Sequence, residues 1–243
     1  MTLAPTRAQG RPSHRGWGRR ALLPWILLLT ALLGPGVGLA PAAAAEKPAS
    51  PPFEEEILRF EAADATNPPP RHAILFTGSS SIRLWASLVT DFPGHPVFGR
   101  GFGGSHMSDL NRYASRIVIP YEPRHILVYE GDNDLAAGKT PEEVAAGFRE
   151  FVRQVHATLP LARISYIAIK PSRARWGLLP KIREANSRIR RYAFGHRHVD
   201  YIDTFTPMLD RHGKVREELY REDGLHLNPE GYRVWAGVIR RKL

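Results

Sequence analysis

The residues best equipped for chemistry stand near the end of the chain, in Glu222-Asp223-Gly224-Leu225-His226-Leu227-Asn228-Pro229. An acid three residues before a histidine can fold back through a turn, accept the imidazole N–H and fix the tautomer. The other ring nitrogen is then free to take a proton. Asn228 and Pro229 read as a helix cap and a first-turn proline, so the pair belongs to a loop that ends where a helix begins. Such a pair serves as a general base only if a nucleophile and oxyanion donors come from elsewhere in the chain.

Three other stretches offer them. In Gly78-Ser79-Ser80-Ser81, a serine between a strand and a helix start is well placed to attack, with free N–H groups facing the developing charge. The same serines suit helix caps, and the Lys-Ser/Thr pair of a phosphate-binding loop is missing. In Gly99-Arg100-Gly101-Phe102-Gly103-Gly104-Ser105, glycines let a backbone N–H point into a cleft, and plain turns account for them equally well. Glu130-Gly131-Asp132-Asn133-Asp134 carries Asn133, a neutral amide donor suited to an oxyanion and equally to a turn. Asp132, Asp134, Asp223 and His226 come from two distant stretches without a helical His-x-x-x-His spacing, so they do not make a metal pattern.

The pattern of the chain says what must position these loops. Residues 73–77 form a continuous apolar run, as in a parallel strand buried on both faces. A helix is predicted over 82–89, a short strand at 96–98, a helix over 107–116 and a strand over 125–129. Thr140-Pro141-Glu142-Glu143 starts a helix that runs to 158. A strand at 163–169, a helix at 179–194, a strand at 199–202 and a helix at 229–240 complete the series. Residues 53–63 read as a short amphipathic helix, ended by Asn67-Pro68-Pro69-Pro70. Strand, loop and helix alternating five times means an α/β domain with a mostly parallel five-stranded sheet. Ligands of such sheets bind at the carboxyl ends of the strands, which selects the four loops above. Lys170-Pro171-Ser172 ends the fourth strand at the same edge; with Trp176 it reads as a pocket wall or as a plain turn. Tyr232 and Trp235 read as core, and His196 and His198 as a solvated loop.

The chain has 243 residues, 43% of them hydrophobic, enough for a sizeable core. It has no cysteine, which excludes disulfides, thiolate metal sites and a thiol nucleophile. The formal charge is +10. Removing the five arginines of residues 1–45, a stretch without an acid, leaves 29 basic and 24 acidic residues and a net charge of +5. The remaining arginines are scattered, with no basic stripe interleaved with aromatics, so nucleic acid is not an expected partner. Residues 1–45 combine a basic start ending in Arg19-Arg20, an apolar run from 21 to 33 and an alanine-rich end. This reads as a secretory signal peptide cleaved after about Ala45, with a twin-arginine route allowed and a retained membrane anchor as the rival reading. The expected location is periplasmic or extracellular. The division is then a signal peptide over 1–45, a Pro-rich linker with a short helix over 46–70, and the α/β domain over 71–243.

Taken together, Gly78-x-Ser80 after the first strand, Gly104 after the second, Gly131-x-Asn133 after the third and Asp223-x-x-His226 at the end are similar to the SGNH (GDSL-type) hydrolase family. The resemblance spans about residues 72–240. It implies a three-layer α/β/α sandwich of flavodoxin-like type. Ser80 then resembles the nucleophile, His226 the general base and Asp223 its orienting acid. The backbone N–H groups of Ser80 and Gly104 and the Asn133 amide resemble the oxyanion hole. Ser79 and Ser81 are the rivals of Ser80, and Gly103 of Gly104. The family's usual Gly-Asp-Ser is here Gly78-Ser79-Ser80, so no carboxylate precedes the serine. The resemblance implies a serine esterase without metal or cofactor. Its substrates would be small acyl esters, lysophospholipid-like molecules, or lipid or polysaccharide esters of the cell envelope. An O-acyltransferase or deacetylase on the same fold, and a binding protein that keeps the fold without catalysis, are the alternatives.

Overall fold

The computed structural model describes residues 51–243. The expected signal segment, and the part of the linker before residue 51, lie outside the described residues. The elements run α1 (Glu54–Thr66), β1 (Ile74–Gly78), α2 (Ser80–Arg83), β2 (Val97–Gly101), α3 (Met107–Ile117), β3 (His125–Tyr129), α4 (Asp132–Ala136), α5 (Pro141–Thr158), β4 (Arg163–Ile167), α6 (Leu179–Phe194), β5 (Val199–Ile202) and α7 (Pro229–Arg240). The five strands form one sheet in the order β2-β1-β3-β4-β5, every neighbouring pair parallel. The chain leaves β1 for one side and returns to β3 on the other, so the strand order reverses between them. Open α/β sheets place their binding crevice at such a reversal.

The unbroken apolar runs follow from the two-residue period of a strand. Leu75, Ile126 and Val128 face one layer, where Leu110, Phe148, Phe151, Ile182 and Ile189 of α3, α5 and α6 meet them. Ile74, Phe76, Leu127 and Tyr129 face the other, packed on Trp85, Phe92 and the Tyr232, Trp235 and Ile239 face of α7. Helix α1 belongs to the first layer through buried Ile57. Arg116 of α3 ties it down through Glu54 and Glu61 at 2.7 Å each, and Arg100 of β2 pairs with Asp64.

Some predicted boundaries move. The helix expected over 82–89 is a single turn, α2, followed by tight turns. Asp91 Oδ2 accepts from the Trp85 indole and the Ser87 hydroxyl, both at 2.6 Å, and this side-chain network replaces a helical ladder. Strand β2 runs on to Gly101, into the expected glycine loop, because β1 supplies a backbone partner at each step up to Gly78↔Gly101. Helix α4 occupies part of the expected loop 130–134. Helix α5 begins with the expected cap: Thr140 Oγ1 accepts from Glu143 N at 3.2 Å, and Glu143 Oε2 accepts from Thr140 N at 2.7 Å.

Candidate active site

Sheet register brings three of the loops level. Gly78 at the end of β1 is paired with Gly101 of β2 and with Tyr129 of β3. The loops carrying Ser80, Gly104 and Asn133 therefore leave the sheet side by side. Gly78 has φ +128°, and a Cβ there would lie 2.0 Å from the Tyr129 carbonyl oxygen. Only glycine allows the chain to turn so closely past β3, and Ser79 N then donates to that same oxygen at 3.0 Å.

The turn sorts the three serines. Ser79 and Ser81 are buried, whereas Ser80 is partly exposed at the first position of α2. Ser80 Oγ lies 3.0 Å from His226 Nε2, although 146 residues separate them. His226 Nδ1 lies 2.6 Å from Asp223 Oδ2. With Nδ1–H donating to Asp223, Nε2 is left to accept the Ser80 proton.

The Asp223 loop is built to hold that geometry. Asp223 Oδ1 accepts from Leu225 N at 2.8 Å and His226 N at 2.9 Å. Arg221 N donates to the His226 carbonyl at 2.8 Å, and Tyr220 bridges to Leu227. From the β4 side, Arg173 Nη2 donates to the Glu222 carbonyl at 3.0 Å and Ala174 N to the Gly224 carbonyl at 3.1 Å. Partial burial of Asp223 pulls its carboxyl pKa upward. The bonds from the His226 ring and from the Leu225 and His226 N–H groups outweigh it, holding the carboxyl down at about 2. Asp223 is therefore a carboxylate throughout the neutral range.

The candidate oxyanion donors also stand apart from their rivals. Gly104 has φ +87° and open space where a side chain would point, whereas a Cβ on Gly103 would meet the Arg83 guanidinium at 2.4 Å. The N–H groups of Ser80 and Gly104 donate to no other group among the described residues. The Asn133 amide donates one hydrogen bond to the Ser105 carbonyl at 3.0 Å, which fixes its orientation and leaves its second N–H unengaged. The arrangement can deprotonate a serine hydroxyl and stabilise an anion beside it.

Two buried ionisable residues stand behind these loops. Glu130, which the sequence reading did not single out, is wholly buried and bonded to Ser105. Its position directly after a doubly buried strand was the signal available in the sequence. Lys170 turns inward rather than lining a pocket, and its Nζ meets Tyr129 Oη at 3.0 Å and Asp132 Oδ2 at 3.1 Å. Trp176 is 42% exposed and borders a cavity of about 540 Å³ with Arg173, Asp210, Lys214 and Glu217. A smaller hollow lined by Arg173, Glu217, Tyr220, Arg221 and Gly224 shares Arg173 and Glu217 with it.

Several solved structures share this fold. A Streptococcus pneumonia protein described as a platelet activating factor candidate aligns at 20% identity and TM-score 0.69, covering 77% of this chain and 91% of its own. A GDSL-like lipase from Bacteroides thetaiotaomicron aligns at 18% identity and TM-score 0.66, covering 76% and 96%. A catalytic mutant of an acetylxylan esterase from Geobacillus stearothermophilus aligns at 14% identity and TM-score 0.59, covering 70% and 92%. At these identities the likeness bears on the fold. Among curated proteins no significant match is found. The model of the GDSL-like lipase/acylhydrolase family, however, matches residues 65–234, well over half of the chain and all four loops. The chain belongs to the GDSL-like lipase/acylhydrolase family and is a hydrolase of ester bonds.

Proposed function

We propose that the protein is a serine esterase in which Ser80 is the nucleophile, His226 the general base and Asp223 its orienting acid. The observation that carries this reading is the continuous relay from Asp223 Oδ2 to His226 Nδ1 at 2.6 Å and from His226 Nε2 to Ser80 Oγ at 3.0 Å. Ser80 Oγ attacks the ester carbonyl as His226 takes its proton. The oxyanion sits on the N–H groups of Ser80 and Gly104 and the free N–H of Asn133. Collapse breaks the bond to the alkoxy group, which leaves with the proton held by His226. Water, deprotonated by the same imidazole, then cleaves the acyl-enzyme and restores Ser80. Small acyl esters and lysophospholipid-like esters are the substrates proposed, because the family's general chemistry needs nothing larger than an accessible ester. Export through the 1–45 segment is part of the same proposal, and N-terminal sequencing of the protein recovered from the periplasm checks it.

A second reading, deacetylation of a cell-envelope polysaccharide, is favoured by one observation. The cavity beside the Asp223 loop presents the exposed face of Trp176 among charged hydrogen-bonding side chains. An exposed indole rimmed by polar groups suits a sugar ring, which has an apolar face and a hydroxylated edge. One solved structure of this fold is of an acetylxylan esterase.

Reaction of the mature protein with a fluorophosphonate probe tests the core of the proposal. One adduct by mass, lost with p-nitrophenyl acetate turnover in Ser80→Ala, is expected. An adduct that persists in Ser80→Ala moves the nucleophile to Ser79 or Ser81. No adduct and no turnover in the wild type leaves a binding protein on a hydrolase fold. Consumption of an acyl donor without release of free acid, when a glycan acceptor is present, marks an acyltransferase instead.

A further inference from the structure

Glu130 is the first residue after β3, and its carboxyl lies wholly inside the protein. Its Oε1 is 2.5 Å from Ser105 Oγ. Ser105 Oγ is also 2.9 Å from the Phe102 carbonyl oxygen. A carbonyl oxygen can only accept, and the serine hydroxyl has one proton to give. One proton cannot serve both oxygens, so both contacts close as hydrogen bonds only if the carboxyl supplies a proton of its own. The surroundings agree. Among the described residues no cation pairs with Glu130, and its other oxygen, Oε2, has no hydrogen-bond partner. Burial pushes the carboxyl well above its ordinary range against the opposing pull of the Ser105 bond, and Asp134 and Asp109 push it further.

Ser105 is the residue through which the candidate oxyanion donors are connected. It follows Gly104 directly, and its carbonyl accepts the Asn133 amide at 3.0 Å. Glu130 is itself fixed by the sheet, because its carbonyl accepts the Tyr166 hydroxyl at 2.5 Å. We propose that Glu130, through its acid O–H, is a positioning residue of the oxyanion hole: it clamps Ser105, and Ser105 sets both the turn at Gly104 and the direction of the Asn133 amide. The clamp contacts no substrate. It acts by keeping two donors aimed before the oxyanion forms, where a displacement of a fraction of an ångström weakens transition-state binding and leaves ground-state binding alone. The inference rests on the reading of Gly104 and Asn133 as oxyanion donors.

The test uses Glu130→Gln, Glu130→Met, Ser105→Ala and the Glu130→Met/Ser105→Ala double variant of the mature protein. Asn133→Ala serves as the control for the oxyanion hole. Thermal unfolding, kcat and KM for p-nitrophenyl acetate, and the fluorophosphonate inactivation rate are measured for each. Glu130→Met and Ser105→Ala are expected to lower kcat roughly 10- to 100-fold with KM within about twofold of wild type. The double variant should be no worse than the poorer single one, since each change cuts the same link. Glu130→Gln should restore most of the loss seen in Glu130→Met, because its amide N–H can donate to Ser105 Oγ. Ser105→Ala removes one hydroxyl and decides the matter even if Glu130→Met fails to fold. Wild-type kcat in Ser105→Ala, additive losses in the double variant, or a Gln variant as poor as the Met variant each overturns the clamp. Wild-type kcat in Asn133→Ala refutes the oxyanion reading itself and takes the clamp with it. A loss in Asn133→Ala beside full activity in Ser105→Ala refutes the clamp alone.

Discussion

Asp223→Asn changes one atom of the relay, and the geometry around that atom sets the size of the effect. Asp223 Oδ1 already accepts two backbone N–H groups, at 2.8 and 2.9 Å. An asparagine keeps its amide oxygen on those donors and turns its NH₂ toward His226 Nδ1. Two donors then face each other unless the ring gives up its Nδ1 proton. The imidazole moves that proton to Nε2, where it points at Ser80 Oγ and can no longer receive the serine's proton. Recovering the productive tautomer costs a hydrogen bond to a strongly polar group, about 1.5–3 kcal/mol. On the proposed mechanism, the second loss is the charge that stabilises the imidazolium formed during attack. For charge centres about 4 Å apart, Coulomb attraction ranges from about 1 kcal/mol in water to about 4 kcal/mol near a protein surface. The Asp223 side chain is 47% exposed, which argues for the middle of that range, about 2 kcal/mol. Together the two terms come to about 4 kcal/mol, or roughly a 10³-fold fall in kcat. This is smaller than the ~10⁴-fold loss of the same exchange in a triad whose acid is buried.

Steady-state turnover of p-nitrophenyl acetate reads this effect, with KM expected to stay within about twofold. Asp223→Ala separates the two causes. It too removes the charge, but half-exposed space lets water accept the Nδ1 proton, so the productive tautomer returns while the turn loses its two caps. On the tautomer argument Asp223→Ala is no slower than Asp223→Asn. A loss below tenfold in Asp223→Asn, or an alanine variant far slower than the asparagine one, would refute the reasoning. The latter result would make Asp223 a builder of the loop rather than a partner of the ring.

Other perturbations test other parts of the molecule. Gly78→Ala puts a Cβ 2.0 Å from the Tyr129 carbonyl at φ +128°, and should cost at least about 3 kcal/mol in urea unfolding or prevent folding altogether. Lys170→Met leaves buried Asp132 without its close cation, since Arg175 Nε stays 3.8 Å away, and should destabilise by about 3–5 kcal/mol. Most of that loss should return in Lys170→Met/Asp132→Leu, measured by the same unfolding. Burial, with Arg163 and Arg124 adding to it and Asp200 opposing, depresses His125 from 6.5 to about 3. His125 bonds Ser165 Oγ at 2.8 Å. The unfolded chain therefore takes up a proton below pH 6.5 that the folded one refuses. Stability should be full above about 6.5 and fall by roughly 1.4 kcal/mol per pH unit toward pH 3, a slope that His125→Asn largely removes.

What the sequence could reveal depended on whether a signal was local. Strand β3 and helix α7 begin where the chain's pattern says they should, because β3 is buried at all five positions and Asn228 with Pro229 caps α7. Helix α4 was not legible. It is five residues of mainly polar character that start after Gly131 at φ +100°, and no periodicity fits in so short a span. The site was legible as a set of loops and not as a set of atoms. Ser79, Ser80 and Ser81 are chemically identical in a sequence. Only the positive φ at Gly78 and the single turn of α2 decide which hydroxyl meets a histidine 146 residues away. Glu130 was hidden more thoroughly. Written as Glu130-Gly131-Asp132-Asn133-Asp134 it resembles a solvated acidic turn, yet it continues the alternation of a strand buried on both faces and so points inward. Among the described residues no cation pairs with it, and on the proposal above that inward acid is a hydrogen-bond donor instead of a charge. On the clamp proposed above, an acid directly after a doubly buried strand and directly before the Asn133 loop has a physical reading: with its proton it bonds Ser105 and leaves that hydroxyl to the Phe102 carbonyl, whereas a carboxylate would take the hydroxyl for itself.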